Sequence, residues 1–206
     1  MRLADFYRTV VDNNDNFSAG WSILYYGVFT SIINQHNYKN IAEVGIGYGS
    51  HAKHVLKNTN IEKLYLIDPV RKYDNDYFSD DIMSKEPLVP GNNFNELFDL
   101  INKELSFKKE IVTFLRKPSI TVTSDEIEDG ALDCVFVDAN HEYKNVLDDL
   151  IFWWKKIRIG GQMLGDDYGM SDVNKAVDEF AKLNNLKYDL LQKSGTDYNI
   201  FRFYKI

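Results

Sequence analysis

Cysteine, proline and long apolar runs are all scarce in this 206-residue chain, and each scarcity excludes something. The single cysteine, Cys134, cannot close a disulfide within the chain, so a disulfide-stapled scaffold is excluded and a reducing, cytoplasmic setting is expected. Its neighbours Val135, Phe136 and Val137 are apolar, which predicts a buried thiol rather than a reactive one. The four prolines, Pro69, Pro87, Pro90 and Pro118, fall where loops are expected, and no repeat or Pro/Gly/Ser-rich linker divides the chain. The most apolar stretch, residues 21–33, is interrupted by Ser22, Gly27, Thr30 and Ser31 and is too short to cross a bilayer, so it is expected to be a helix of a soluble protein with no membrane partner. The first residues carry Asp5 and no long apolar stretch, so no secretory signal is expected. Basic charge is also in deficit. Twenty-four Lys and Arg against 31 Asp and Glu give a net charge of −7, the wrong sign for a surface that tracks a phosphate backbone, and nucleic acid is not an expected partner.

What is present is enough apolar sequence, 44% of residues, to bury one core, and enough charge, 27%, to keep the surface wet. A single domain over residues 1–206 is expected, with helices over about 1–38. Short runs rich in Ile, Val, Leu and Phe recur at 41–44, 64–67, 111–115 and 134–137, each ending near Gly, Asp or Pro, as buried parallel strands do. Between them, 51–57, 94–105 and 143–157 carry apolar residues at helical spacing. A fifth strand is expected at 162–165 after Gly160-Gly161, then a helix over about 171–183. Two further strands, 188–191 and 200–204, are expected to form an edge hairpin turning at Ser194-Gly195. The alternation predicts an α/β fold: a doubly wound, mostly parallel seven-stranded sheet with an antiparallel edge hairpin, whose ligands collect at the carboxyl ends of its strands.

The first strand runs into Glu43-Val44-Gly45-Ile46-Gly47-Tyr48-Gly49-Ser50 and then a helix, a place where glycines let the backbone turn tightly and approach a ligand. A dinucleotide fingerprint would need glycine where Ser50 stands, so an NAD-dependent oxidoreductase is disfavoured. The second strand ends at Asp68, whose carboxylate can accept hydrogen bonds from both hydroxyls of a ribose. The plainer alternative is a bare strand-to-helix turn with Asp68 as a cap.

The fourth strand ends in Asp138-Ala139-Asn140-His141-Glu142-Tyr143 and the fifth in Gly165-Asp166-Asp167-Tyr168. If these strands are neighbours, Asp138, Asp166 and Asp167 converge, and carboxylates held together need a cation or protons; an all-oxygen set suits Mg²⁺ or Mn²⁺ better than zinc. Otherwise Asp166 or Asp167 caps the following helix and Asp138 is a polar strand end. His141, three positions past Asp138, is a candidate general base, with a helix-start role as its alternative. His36, His51 and His54 have no comparable company and are expected to be solvent or packing residues.

On these residues the chain resembles the class I S-adenosylmethionine methyltransferases: 43–49 is similar to their first motif and Asp68 to their ribose-binding acid. The resemblance implies S-adenosylmethionine as cofactor, with Gly45, Gly47 and Gly49 lining its methionine and ribose part and Glu43 and Ser50 flanking them. Ser119, after the third strand, resembles an adenine-side position, a turn or cap being its alternative. The D-x-x-H-x-Y of 138–143 and the D-D-Y of 166–168 resemble the metal-dependent sugar O-methyltransferases of the macrocin type. That likeness implies metal ligation by Asp138, Asp166 and Asp167 and the base role for His141. Catechol-type relatives place a lysine at the His141 position and an amide at Asp167, and no N-P-P-Y-like motif follows the fourth strand.

The expected activity is Mg²⁺-dependent O-methylation of a vicinal hydroxyl pair on a small molecule, a sugar or glycan. The alternatives are a metal-independent small-molecule methyltransferase and a catalytically silent nucleotide-binding scaffold subunit. A homo-oligomer is compatible with either. The insertion over about 70–94, with Tyr73, Tyr77 and Phe78, is expected to be a mobile lid or acceptor wall, a plain surface loop being the alternative.

Overall fold

A computed structural model describes residues 2–12, 24–71, 89–192 and 199–206. Two helices, α1 (Leu3–Asp12) and α2 (Leu24–His36), precede an alternating run: β1 (Asn40–Val44), α3 (Ser50–Asn58), β2 (Lys63–Ile67), α4 (Phe94–Glu104), β3 (Val112–Leu115), β4 (Leu132–Val137), α5 (Tyr143–Lys156), β5 (Ile157–Gly165), α6 (Ser171–Asn184), β6 (Tyr188–Gln192) and β7 (Asn199–Tyr204). The strands form one seven-stranded sheet in the order β3-β2-β1-β4-β5-β7-β6. The first five are parallel, while β7 pairs antiparallel with both β5 and β6. This is the doubly wound sheet with an antiparallel edge pair that the pattern predicts. The hairpin turn at Ser194-Gly195 and the insertion residues Tyr73, Tyr77 and Phe78 lie outside the described residues.

Two apolar layers sandwich the sheet. On one face Leu3, Tyr7, Phe29, Val55 and Ile101, from α1 to α4, pack over Ile41, Leu64 and Phe136. On the other Val146, Leu150 and Trp153 of α5 and Val177 and Phe180 of α6 pack over Ala42, Val135, Met163 and Phe203. β4 is buried at every position, as a central strand covered on both faces must be. Asn93 starts α4 by accepting the Glu96 amide at 3.2 Å, while its own amide donates to the Glu96 carboxylate at 2.9 Å.

The fifth strand departs from expectation. It begins at Ile157, immediately after α5, and takes in Gly160 and Gly161 instead of following them. Its pairing with β4 is interrupted: Leu132 faces Ile157, yet Cys134 faces Gln162. The surplus residues form a bulge in which Gly161 lies so close to β4 that a Cβ there would be 2.6 Å from the Asp133 carbonyl. The Tyr38 hydroxyl donates to the Gly160 carbonyl at 3.2 Å and accepts from the Gln162 amide at 2.9 Å, while Asp133 accepts from the Lys39 and Asn40 amides and from Arg158. Glycine in a strand signals a bulge as readily as a loop, and here the bulge is realised.

At the other end of β5, Gly165 lies between Val137 and Phe201, and a Cβ on it would fall 2.1 Å from the Phe201 ring. Gly165→Ala should therefore destabilise the fold by about 1–3 kcal/mol through overpacking, read as a lower urea midpoint with an unchanged slope.

Candidate active site

The carboxyl ends of β2, β1, β4 and β5 stand side by side, and the ladder continues past them: the Gly45 amide donates to Ile67 at 2.9 Å, Asp138 to Val44 at 2.8 Å and Asp166 to Val137 at 3.2 Å. This registration sets the cofactor-type loop, Asp68 and both acidic loops along one edge.

The glycines of the loop have different tasks. Gly45 has φ +85°, and a Cβ on it would lie 2.0 Å from the Asp138 carbonyl oxygen; it is glycine because two strand ends press together there. Gly47, at φ +54°, faces open space, with nothing within 4 Å of a Cβ position, so it is the point where a ligand can reach the backbone. Gly49 immediately precedes α3, against Ile101.

Asp68 holds the loop in shape. One oxygen accepts from the Ile46 amide at 3.0 Å, the other from the Val70 amide at 2.6 Å. Burial raises its pKa, offset in part by the amides of Ile46, Val70 and Gly47 and by Arg116. Glu43 and Ser50 are buried beneath the loop. The Glu43 carboxylate lies 3.4 Å from His51 Nδ1, and burial raises its pKa while His51 opposes the rise. Glu43 Oε2 and Ser50 Oγ have no hydrogen-bond partner among the described residues, and buried polar atoms in that state call for a missing group. Ser119 follows β3 and donates its hydroxyl to Asp149 of α5.

Across β4, Asp138, His141 and Asp167 offer three ligand atoms that lie within 4.8 Å of one another. His141 Nε2 is 2.9 Å from Asp167 Oδ2 and 3.8 Å from Asp138 Oδ1. Burial opposes charge on His141, but the hydrogen bonds and charges of Asp138 and Asp167 together prevail and push its pKa up to about 10. At that value the imidazole is protonated at neutral pH. Asp166 stands outside this group of three: it is buried and accepts the amide of Asp167 at 2.7 Å, which helps hold Asp167 at φ +58°. The strand adjacency that the acidic motifs required is present, but the third member of the cluster is a histidine rather than a carboxylate.

With this geometry in view, the sequence profile of a methyltransferase-domain family matches residues 42–168. The chain belongs to that family. No curated protein matches the sequence at a significant level. Among solved structures, an O-methyltransferase from Bacillus cereus in complex with SAH aligns with TM-score 0.64 at 13% identity, over 98% of this chain and 90% of that one. A Corynebacterium glutamicum protein aligns with TM-score 0.64 at 13% identity, over 98% and 89%. An N-methyltransferase from Bradyrhizobium japonicum aligns with TM-score 0.57 at 10% identity, over 86% and 93%. Such similarity speaks for the methyltransferase fold and leaves the acceptor atom to the site.

Two groups near the site have no clear mark in the sequence. His51 is a packing residue as expected, among Tyr26, Phe29 and Phe136, but its pairing with Glu43 depends on β1 and α3 meeting in space. Asp149, at a helix position that reads as surface, is only 4% exposed, and burial pushes its pKa up to about 7 despite the Ser119 hydrogen bond. The folded state therefore keeps a proton that the unfolded chain releases near pH 4, and stability falls as pH rises through roughly 4–7. Asp149→Asn should flatten that part of a Tm-against-pH profile and raise Tm at pH 8. An unchanged slope would show that the carboxylate is ionised at no cost.

Proposed function

We propose that this methyltransferase-family protein is an S-adenosylmethionine-dependent O-methyltransferase that uses a divalent cation, Mg²⁺ or Mn²⁺, to methylate one of two vicinal hydroxyls on a small molecule, a sugar or glycan. The observation that carries the reading is the Asp138–His141–Asp167 cluster, which lies one strand from the Gly45–Gly49 loop and shares its edge of the sheet.

On this reading the cofactor lies along the open edge. Gly47 leaves room for close backbone contact, and the unpartnered Glu43 Oε2 and Ser50 Oγ supply an acceptor and a donor beneath it. On this reading Asp68, at the end of β2, is the ribose-side residue and Ser119, after β3, the adenine-side one. The bound cofactor supplies an electrophilic sulfonium methyl. Asp138 and Asp167 would hold the cation, which supplies Lewis-acid lowering of a hydroxyl pKa. Their oxygens fit in kind, because carboxylates within 4.8 Å of each other are the hard donors that Mg²⁺ or Mn²⁺ would take. Asp166 supports the loop behind them.

His141 then changes role. Its proton is held by Asp138 and Asp167, so if those carboxylates held a cation the imidazole would lose the charges that raise its pKa and would be able to accept the acceptor's proton. Loss of that proton leaves the hydroxyl oxygen as the nucleophile.

A metal-independent reaction is the second reading, favoured by one observation: protonated His141 already offsets part of the charge of Asp138 and Asp167. Activity that survives exhaustive chelation would select it. A scaffold role would instead appear as cofactor binding without turnover. The sugar preference rests on the 138–143 and 166–168 motifs. The lone Cys134, buried with its thiol pKa pushed up, suits a reducing cytoplasm. No helix among the described residues is long and apolar enough to cross a membrane.

Calorimetry with S-adenosylhomocysteine tests the first step; absence of binding with and without metal would end the reading. His141→Ala should lower turnover by roughly 10²- to 10⁴-fold with S-adenosylhomocysteine affinity unchanged. Asp167→Asn keeps an oxygen ligand but loses charge, so its activity should return in part at high Mg²⁺. If His141→Ala matches the parent while Asp138→Ala is inactive, the base role falls and the metal role stands.

A further inference from the structure

Strand pairing sets Val137 opposite Gly165, but His141 and Asp167 lie beyond the paired residues, on two separate loops. A cluster of this kind works only if its members are held to within about half an ångström, which groups behind the ligands must ensure. Both loops are tied to one helix. Tyr143, two residues after His141, donates its hydroxyl to Glu179 of α6, and its amide lies 3.4 Å from Asp172 Oδ2 of the same helix. Tyr168, next to Asp167, has its hydroxyl 2.7 Å from that of Tyr188 and 3.3 Å from Asp178 Oδ1. Tyr188 in turn donates to Asp178. Since the Tyr188 proton goes to Asp178, its oxygen is free to accept the proton of Tyr168. Burial and these bonds raise the pKa of Tyr188, and the Glu179 bond foremost raises that of Tyr143, so both phenols remain donors at neutral pH.

The helix can serve as a fixed reference. Val173, Val177 and Phe180 are buried in the apolar layer, while Asp172, Asp178 and Glu179 project toward the loops. We propose that α6 is the template that sets the spacing of His141 and Asp167, with Tyr143 and Tyr168 as positioning residues anchored on Glu179 and on the Asp178–Tyr188 pair. The proposal rests on reading Asp138, His141 and Asp167 as the metal and base site. It assigns a purpose to the tyrosine that closes each motif, D-x-x-H-x-Y and D-D-Y, and to two acidic residues that would otherwise be helix surface.

The test is Mn²⁺ binding to the full chain by calorimetry, beside S-adenosylhomocysteine binding and thermal unfolding. Tyr168→Phe and Asp178→Asn should weaken Mn²⁺ binding by roughly 10- to 100-fold, as expected for groups behind a ligand. Their S-adenosylhomocysteine affinity and Tm should stay at parent values, and their turnover should recover as Mn²⁺ is raised. Lys182→Ala, on the same helix, should bind Mn²⁺ like the parent. Parent-like Mn²⁺ affinity in both tyrosine-network variants overturns the template while leaving the metal site intact. Equal losses of Mn²⁺ affinity, S-adenosylhomocysteine affinity and Tm overturn it too, since the network would then merely support the fold. If the parent itself binds no Mn²⁺, the metal site falls and the template with it.

Discussion

The carbonyl oxygen of Asp138 occupies the space that a side chain at residue 45 would need. That contact joins the turn after β1 to the end of β4 with no atom between them, and the site depends on it. The first structure offers the backbone to a ligand through Gly47; the second begins the segment that carries His141. Moving them apart by one methyl group would separate the loop proposed to hold a methyl donor from the groups proposed to prepare its acceptor, and transfer between bound partners loses rate steeply with such displacement. The glycine that resembles a cofactor-contact position is thus, by its surroundings, a packing requirement that also brings the two halves of the chemistry together.

Charge is the second constraint. Asp138 and Asp167 are held near each other in a partly buried place, an arrangement that must be compensated. The chain carries its own compensation in His141. A protonated imidazole between two carboxylates is a stable resting arrangement, and any cation that enters competes with a proton for the same two acids. On the proposed metal-dependent reading, metal uptake would release protons and weaken as the solution becomes more acidic, as for other sites whose ligands must lose protons.

The sheet was legible because buried parallel strands are short, branched and apolar, and 41–44, 64–67 and 134–137 obey that rule with helical spacing between them. The candidate site was legible in outline as a position, since ligands gather at strand ends in such folds and Asp68, Asp138 and Asp167 stand there. What escaped were relations made in space. Glycine 160 and 161 read as a loop because a bulge and a turn use the same residue. Asp149 and Ser119 meet although they are 30 residues apart, and no local spacing encodes the meeting. Asp166 and Asp167 look equivalent in sequence. The positive φ of Asp167 and the hydrogen bond behind it separate them into one acid turned toward the cluster and one turned toward the backbone.

α5 passes into β5 with no residue between them, and the bulge that follows is locked by Tyr38, Gln162, Asp133 and Arg158. This end of the domain leaves no slack in the chain at that crossover, so added or deleted residues there would shift either the register of β5 or the seating of Trp153. Descendants of this sequence could change length freely only at other connections.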